Sequence, residues 1–314
     1  MACLAPQAVL FPGQGNQYPG MGWREHDCSE RARHVFERAE SECGLPIRRL
    51  CFEGEYQELA RTEITQPCVF VVSLACLAAL EERFEAQGRA WRPRVVAGHS
   101  LGHFAALVAA GALPFSDALQ LVCERGELMR EATDVCDGGM ATIVGLPLDR
   151  VQRCTEAANG EVVVAALNSP GHVVVSGAVE GLDAVIASAL AAGAERAVRL
   201  PISIPSHSPA MAPAAAAFAL HVDRARFSDA RVPVMLNSTA RPATSAARLR
   251  RELRDHMCNA VLWWPSVQAM IGLGVRLFAE AGPGHSFEKA LGQAIAPAKL
   301  FTLDRPGALA SVAG

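Results

Sequence analysis

Short, almost purely apolar runs alternate in this chain with longer stretches whose apolar positions recur every three to four residues. Residues 7–11 (Gln-Ala-Val-Leu-Phe) and 94–98 (Arg-Val-Val-Ala-Gly) predict buried strands. Helical spacing at 29–43, 68–86, 101–110 and 115–132 predicts helices. Further strands are expected at Val232–Leu236 and Arg276–Ala281, and the polar stretch 238–247 reads as a surface loop. Buried strands alternating with helices indicate an α/β fold built on a parallel sheet.

The middle of the chain has a different rhythm. Strand Met140–Gly145, helix Leu148–Ala158, strand Glu161–Leu167, strand Val173–Gly177, helix Ala178–Ala191 and strand Glu195–Leu200 follow one another. That order, β-α-β-β-α-β, is the ferredoxin-like split motif. It predicts a small subdomain at 137–200 inserted into a larger domain made of 1–136 and 201–314.

Composition narrows the function. Apolar residues make up 51% of the 314 positions, which excludes a disordered chain. Twenty-nine Lys and Arg against 32 Asp and Glu leave no basic field, so nucleic acid is not expected as a partner. The ten cysteines form no C-x-x-C and pair with no His at metal-finger spacing. They read as reduced thiols, with no metal site and a cytoplasmic location expected. The N-terminus lacks a basic start and a long apolar core, so no signal peptide is expected. Apolar runs read as interrupted before about 18 residues, so no membrane span is expected either.

The strongest chemical signal is Gly98-His99-Ser100-Leu101-Gly102. A serine between glycines at a strand-to-helix corner is the pattern of a nucleophile elbow; the alternative is a tight turn with Ser100 as helix cap. The helix start would aim amide donors at charge developing on a substrate carbonyl. A nucleophilic serine needs a base. His99 is adjacent but its side chain is expected to point away. His207, in the loop Ile204-Pro205-Ser206-His207-Ser208-Pro209, lies where the insert meets the returning large domain, a place where clefts form. It reads either as that base or as a capping or core histidine. Arg125, on an otherwise apolar helical face beside Gly126, reads either as a partner of Glu124 or Glu127 or as a clamp for a carboxylate. The turn Pro12-Gly13-Gln14-Gly15 lacks the residues of a P-loop or dinucleotide fingerprint, but a glutamine side chain or an amide there could complete an oxyanion hole.

These segments occur in a familiar order. Phe11-Pro12-Gly13-Gln14-Gly15, Thr65-Gln66-Pro67, Gly98-His99-Ser100-Leu101-Gly102, Arg125-Gly126 with Met129, Gly138-Gly139-Met140-Ala141, Asn168-Ser169-Pro170-Gly171, Pro205-Ser206-His207-Ser208 and Glu280-Ala281-Gly282-Pro283-Gly284 resemble malonyl-CoA:acyl carrier protein transacylases over about 7–305. The family includes enzymes of fatty-acid synthesis and free-standing acyltransferases that serve polyketide synthases, so the resemblance implies malonyl transfer for fatty-acid or polyketide synthesis.

The resemblance implies an α/β-hydrolase-like large domain with a ferredoxin-like insert. It implies Ser100 as nucleophile and His207 as base, with the main-chain carbonyl of His256 orienting the imidazole. It implies Gln14 and the Leu101 N–H as oxyanion donors, Arg125 as clamp on the malonyl carboxylate, and Gln66 and Asn168 as residues near the substrate. Malonyl-CoA and an acyl carrier protein are the implied partners of an expected monomer. No cofactor is expected: the CoA thioester is substrate, and phosphopantetheine arrives on the carrier. The sequence departs from the family pattern at His103, where Glu is commoner, at His172, where Gln is, and at His256, also more often Gln. The rival readings are an editing hydrolase on the same fold, against which Arg125 weighs, a transferase for a different extender unit, and a non-catalytic docking or scaffold protein.

Overall fold

Alternation along four residues sets the architecture. The computed structural model describes residues 5–134, 137–158 and 162–305. The expected domain limits at 1, 136 and 314, and the expected strand start at Glu161, lie outside the described residues. The strands are β1 (Ala8–Phe11), β2 (Val95–Gly98), β3 (Gly138–Val144), β4 (Val162–Ser169), β5 (His172–Ala178), β6 (Arg196–Arg199), β7 (Val234–Met235), β8 (Pro242–Ala243), β9 (Leu277–Glu280) and β10 (Lys299–Thr302). In β1, Val9 and Phe11 enter one apolar cluster while Ala8 and Leu10 enter another on the opposite face. A strand with both faces buried is what a parallel sheet with covered faces requires.

The large sheet has the order β10-β9-β1-β2-β7-β8. Its pairs are parallel from β10 to β7, and β7–β8 is antiparallel. β8 corrects the expectation of a plain loop over 238–247. The turn after Met235 folds Pro242–Ala243 back onto the edge, and Ala243 is buried. Against one face pack helices Glu30–Cys43, Thr62–Ala86, Phe115–Thr133 and Ala212–Arg224, through Phe36, Phe70, Val122 and Phe218 among others.

Helix Thr62–Ala86 also differs from expectation. It begins six residues before the predicted start at 68, because Pro67, a common helix-start signal, sits inside it. The run Ile64–Leu80 carries no charge, so the apolar stretches are not all interrupted as read. By length and composition this helix could cross a membrane, but 89% of its most apolar window is buried inside the protein.

The second sheet is antiparallel, order β4-β5-β3-β6, with helix Leu148–Glu156 after β3 and helix Val179–Ala191 after β5. That is the ferredoxin-like arrangement. It has its own core, including Ile143, Val151, Val175 and Val185. Its other face, through Met140, Ala165, Ala166 and Val174, joins the cluster beneath the large sheet together with Trp263, Val267 and Phe278. Main-chain bonds Leu167 N–H to Val261 O and Val261 N–H to Ala165 O, both 2.9 Å, tie β4 to the large domain.

Candidate active site

β2 ends at Gly98 and a helix begins at Gly102, so the chain must reverse direction within three residues. It does so with Ser100 in the left-handed region, φ 49°. A non-glycine residue there costs free energy and persists only where its surroundings hold it. The surroundings here are tight. A Cβ on Gly98 would lie 2.0 Å from the carbonyl carbon of Gly102, and one on Gly102 would lie 2.1 Å from the Phe11 carbonyl oxygen. Glycine at both positions lets strand, turn and helix approach closely and leaves the Ser100 hydroxyl at the tip.

Three hydrogen bonds complete the corner. His99 N–H donates to Phe11 O at 2.9 Å. The Asn237 side chain takes the other two: its Oδ1 accepts from Ser100 N–H at 2.9 Å and its Nδ2 donates to Gly98 O at 2.8 Å. With the Ser100 amide thus occupied, the Leu101 N–H is the first main-chain donor of the corner without a partner among the described residues.

The His207 ring reaches this corner from 107 residues away in sequence, and the Ser100 hydroxyl donates to its Nε2 at 2.8 Å. On the other side Nδ1 faces two main-chain carbonyls, His256 O at 3.1 Å and Asn259 O at 2.9 Å. Carbonyls only accept, so Nδ1 carries the proton and Nε2 offers its lone pair to Ser100. His207 is itself left-handed, φ 61°, and its own N–H donates to Met257 O at 2.9 Å. Burial, and next the cationic Arg125, push its pKa down to about 3, against the pull of the two carbonyls. At neutral pH the ring is uncharged.

Arg125 comes from helix Phe115–Thr133 and is only 2% exposed. It does not pair with Glu124 or Glu127. Glu127 bonds Arg130, and Glu124 lies 3.7 Å from His221. Arg125 Nη1 instead donates to Gln66 Oε1 at 2.7 Å, and Nη2 to Ser100 Oγ at 3.3 Å; Nε has no partner among the described residues. Burial lowers its pKa to about 10, so the guanidinium stays charged at neutral pH. Gln66 Nε2 donates to Thr62 Oγ1, whose hydroxyl donates to Gln14 Oε1, at 2.9 and 3.1 Å. A polar relay thus runs from Gln14 to the Ser100 hydroxyl.

A cavity of about 560 Å³ opens over these groups between the two sheets. The large domain contributes Gln14, Ser100, Arg125 and His207, and the insert contributes Met140 and Asn168 among others. Two sequence expectations change. Gln66 is fully buried behind Arg125 and lines no part of the cavity, because its amide is spent on Arg125 and Thr62. His99 does line the cavity, with Nε2 2.9 Å from Asn168 Oδ1 and its ring edge-on to Trp263 at 5.4 Å. The rigid turn after β2 swings it inward.

The unusual histidines fall in two places. His103 and His256 are buried behind His207 with rings 5.5 Å apart, and His256 stands edge-on to His207 at 5.6 Å. His172 lies away from them, its Nε2 3.0 Å from Thr142 Oγ1. Asn237 carries no mark in the sequence. No local pattern marks an asparagine whose partners lie on distant segments. Among the described residues no group of three or more His, Cys, Asp or Glu is placed to hold a metal ion.

Residues 9–300 match the family model of the acyl transferase domain. The malonyl CoA-acyl carrier protein transacylase of Bacillus subtilis (strain 168) is 38% identical over 280 residues, covering 88% of this chain and 86% of that protein. The structure of the malonyl CoA-acyl carrier protein transacylase of Coxiella burnetii superposes with a TM-score of 0.91 at 31% identity, covering 98% of this chain and 97% of that one. A malonyl-transacylase solved in complex with a holo type II polyketide synthase acyl carrier protein superposes equally well, TM-score 0.91 at 32% identity over 98% and 99% of the two chains. The chain belongs to the acyl transferase domain family, among its malonyl CoA-acyl carrier protein transacylases.

Proposed function

We propose that the protein moves a malonyl group from malonyl-CoA to the phosphopantetheine thiol of an acyl carrier protein, through an ester on Ser100. The observation that carries this reading is Arg125: a buried guanidinium on the cavity wall, 3.3 Å from the Ser100 hydroxyl, with no carboxylate partner of its own among the described residues. Leaving a cation buried and unpaired is costly, and a substrate carboxylate offsets that cost. Its planar fork matches both carboxylate oxygens. The complex of a relative with a polyketide synthase acyl carrier protein supports the second substrate.

In the first half-reaction the malonyl carboxylate rests on Arg125. Ser100 Oγ attacks the thioester carbonyl as its proton passes to His207 Nε2, and the negative oxygen is held by the Leu101 N–H and a donor of Gln14. The C–S bond then breaks and the CoA thiolate takes the proton from His207. In the second half-reaction the carrier thiol gives its proton to His207, its sulfur attacks the Ser100 ester, and the serine leaves and recovers the proton. No oxidation occurs, and His207 serves as base and acid in turn. The imidazolium formed in each half is stabilised by the carbonyls of His256 and Asn259 at Nδ1.

The test is incubation with radiolabelled malonyl-CoA. Label that stays on the protein, maps to Ser100, is absent in Ser100→Ala and moves to added holo carrier protein supports the transferase. Label released to water at the rate it forms would favour an editing hydrolase, and undiminished labelling of Ser100→Ala would remove the nucleophile.

A further inference from the structure

The two halves of the dyad come from different segments, and one side chain touches both supports. We propose that Asn237 is a positioning residue for the acyl transfer, locking the Ser100 corner to the carbonyl anchor of His207 through the His256 ring. The proposal rests on the reading of Ser100 and His207 given above.

Asn237 lies just past β7 and is 3% exposed. Its two bonds to the corner, from Ser100 N–H and to Gly98 O, identify which end of its amide is oxygen. The same Oδ1 stands 3.3 Å from His256 Nε2. An amide oxygen has two lone pairs, and Ser100 N–H takes one. His256 Nε2–H is the donor suited to the other, which makes Nε2 the protonated nitrogen of that ring. The main-chain oxygen of His256 is one of the two acceptors at His207 Nδ1. The main-chain oxygen of Asn237 accepts from Leu262 N–H at 2.8 Å, close in sequence to Asn259, which supplies the second acceptor.

Asn237 thus fixes the nucleophile's backbone with its side chain, the ring above one anchor with the same oxygen, and the loop holding the other anchor with its main chain. This accounts for a feature the resemblance left open. The commoner glutamine at position 256 also carries an amide donor, so histidine there keeps the donor while changing the shape. It also accounts for how Ser100 is held at φ 49°, since an apolar residue at 237 would leave Ser100 N–H and Gly98 O buried without partners.

The charged and titratable groups around the two rings are Arg125, His99 and His103, all of which hold His256 toward its neutral form after burial does, with Glu252 acting on His103. A carboxylate at 237 would oppose them.

The experiment compares Asn237→Ala, Asn237→Asp, His256→Gln and His256→Leu in single-turnover loading of Ser100 from malonyl-CoA from about pH 3 to 9, a range that spans the acid limb of His207, with rates corrected for folded protein and KM and thermal melts measured alongside. Asn237→Ala should slow loading about ten- to hundredfold with KM little changed, as expected for misplaced reacting groups. His256→Leu keeps the carbonyl anchor but loses the ring donor and should slow loading about tenfold, while His256→Gln should recover most of that rate. Asn237→Asp should move the acid limb of the profile to higher pH, because added negative charge favours the protonated rings. Equal rates for His256→Leu and His256→Gln would overturn the proposal, as would losses in Asn237→Ala that only track the unfolded fraction or an unmoved limb in Asn237→Asp. A wild-type protein that forms no Ser100 ester would instead remove the underlying reading, and peptide mass analysis distinguishes the two failures.

Discussion

Arg125 Nη2 lies 3.3 Å from Ser100 Oγ, so a buried cation stands beside that hydroxyl at the cavity wall. A malonyl group differs from acetyl by one carboxylate, and this is the group that can use the cation. Arg125→Ala is expected to lower kcat/KM for malonyl-CoA loading by a hundredfold or so, since charge-assisted bonds are worth roughly 1.5–3 kcal/mol each. Acetyl loading should fall far less or rise. An unchanged malonyl-to-acetyl ratio would make Arg125 a structural arginine. Arg125→Lys should recover only part of the loss, because an ammonium lacks the fork.

His207 is shared by both half-reactions in the proposed mechanism. His207→Ala should slow CoA release and carrier acylation alike, each by about 10²–10⁴-fold. Rapid-quench measurement of the two halves separately is the check. A defect confined to the second half would assign the first proton transfer to another group.

The pH dependence follows from the neutral state of His207. As a base it works above its pKa and fails below it. Burial and Arg125 place that value at about 3, so kcat/KM for loading should stay flat well below 6.5, the ordinary pKa of histidine, when rates are corrected for folded protein. Arg125→Ala removes the second cause of the depression and should raise the acid limb. The same depression bears on stability with a definite sign. The unfolded chain binds the proton first, so the stability tied to neutral His207 is fully present above pH 6.5 and is lost as pH falls from there toward about 3. His103 and His256, also lowered by burial, add to this loss. Urea midpoints taken from pH 7 to 4 should fall steadily; a midpoint independent of pH across that window would contradict buried neutral rings.

Gly102 is a steric requirement rather than a preference. The added Cβ of Gly102→Ala would meet the Phe11 carbonyl oxygen at 2.1 Å, a backbone atom that cannot rotate away. The helix start would have to move off β1. A loss of about 1–3 kcal/mol in unfolding free energy is expected, together with slower Ser100 loading. Gly193→Ala provides the contrast for space, because nothing among the described residues lies within 4 Å of its Cβ position, although its φ of 96° still adds local strain. Denaturant titration of both variants tests the difference.

What the chain determined by itself was local or ordered along it. Two-faced apolar strands, the β-α-β-β-α-β rhythm of the insert and the Gly98–Gly102 corner are properties of neighbouring residues, and a residue's neighbours decide its secondary structure and its turns. Ser100 stands out for that reason, whereas the roles proposed for His207 and Arg125 rest on the order of segments that resembles a family. Tertiary structure decided which open alternative each side chain took. Arg125 could have paired with Glu124 or Glu127, one and two residues away, but its helix face is buried, so its partners are Gln66 and Ser100 from other elements. Helix Thr62–Ala86 has the composition of a membrane span, and only the packing around it makes it a core helix. His99 turned inward because the corner swings it over Asn168. Asn237 carried no signal in sequence, since its worth lies in three backbone groups and a ring brought together from positions 98, 100, 262 and 256. A hydrogen-bond partner across such separations is set by how sheets and helices stack, and periodicity along one strand or helix holds no record of it.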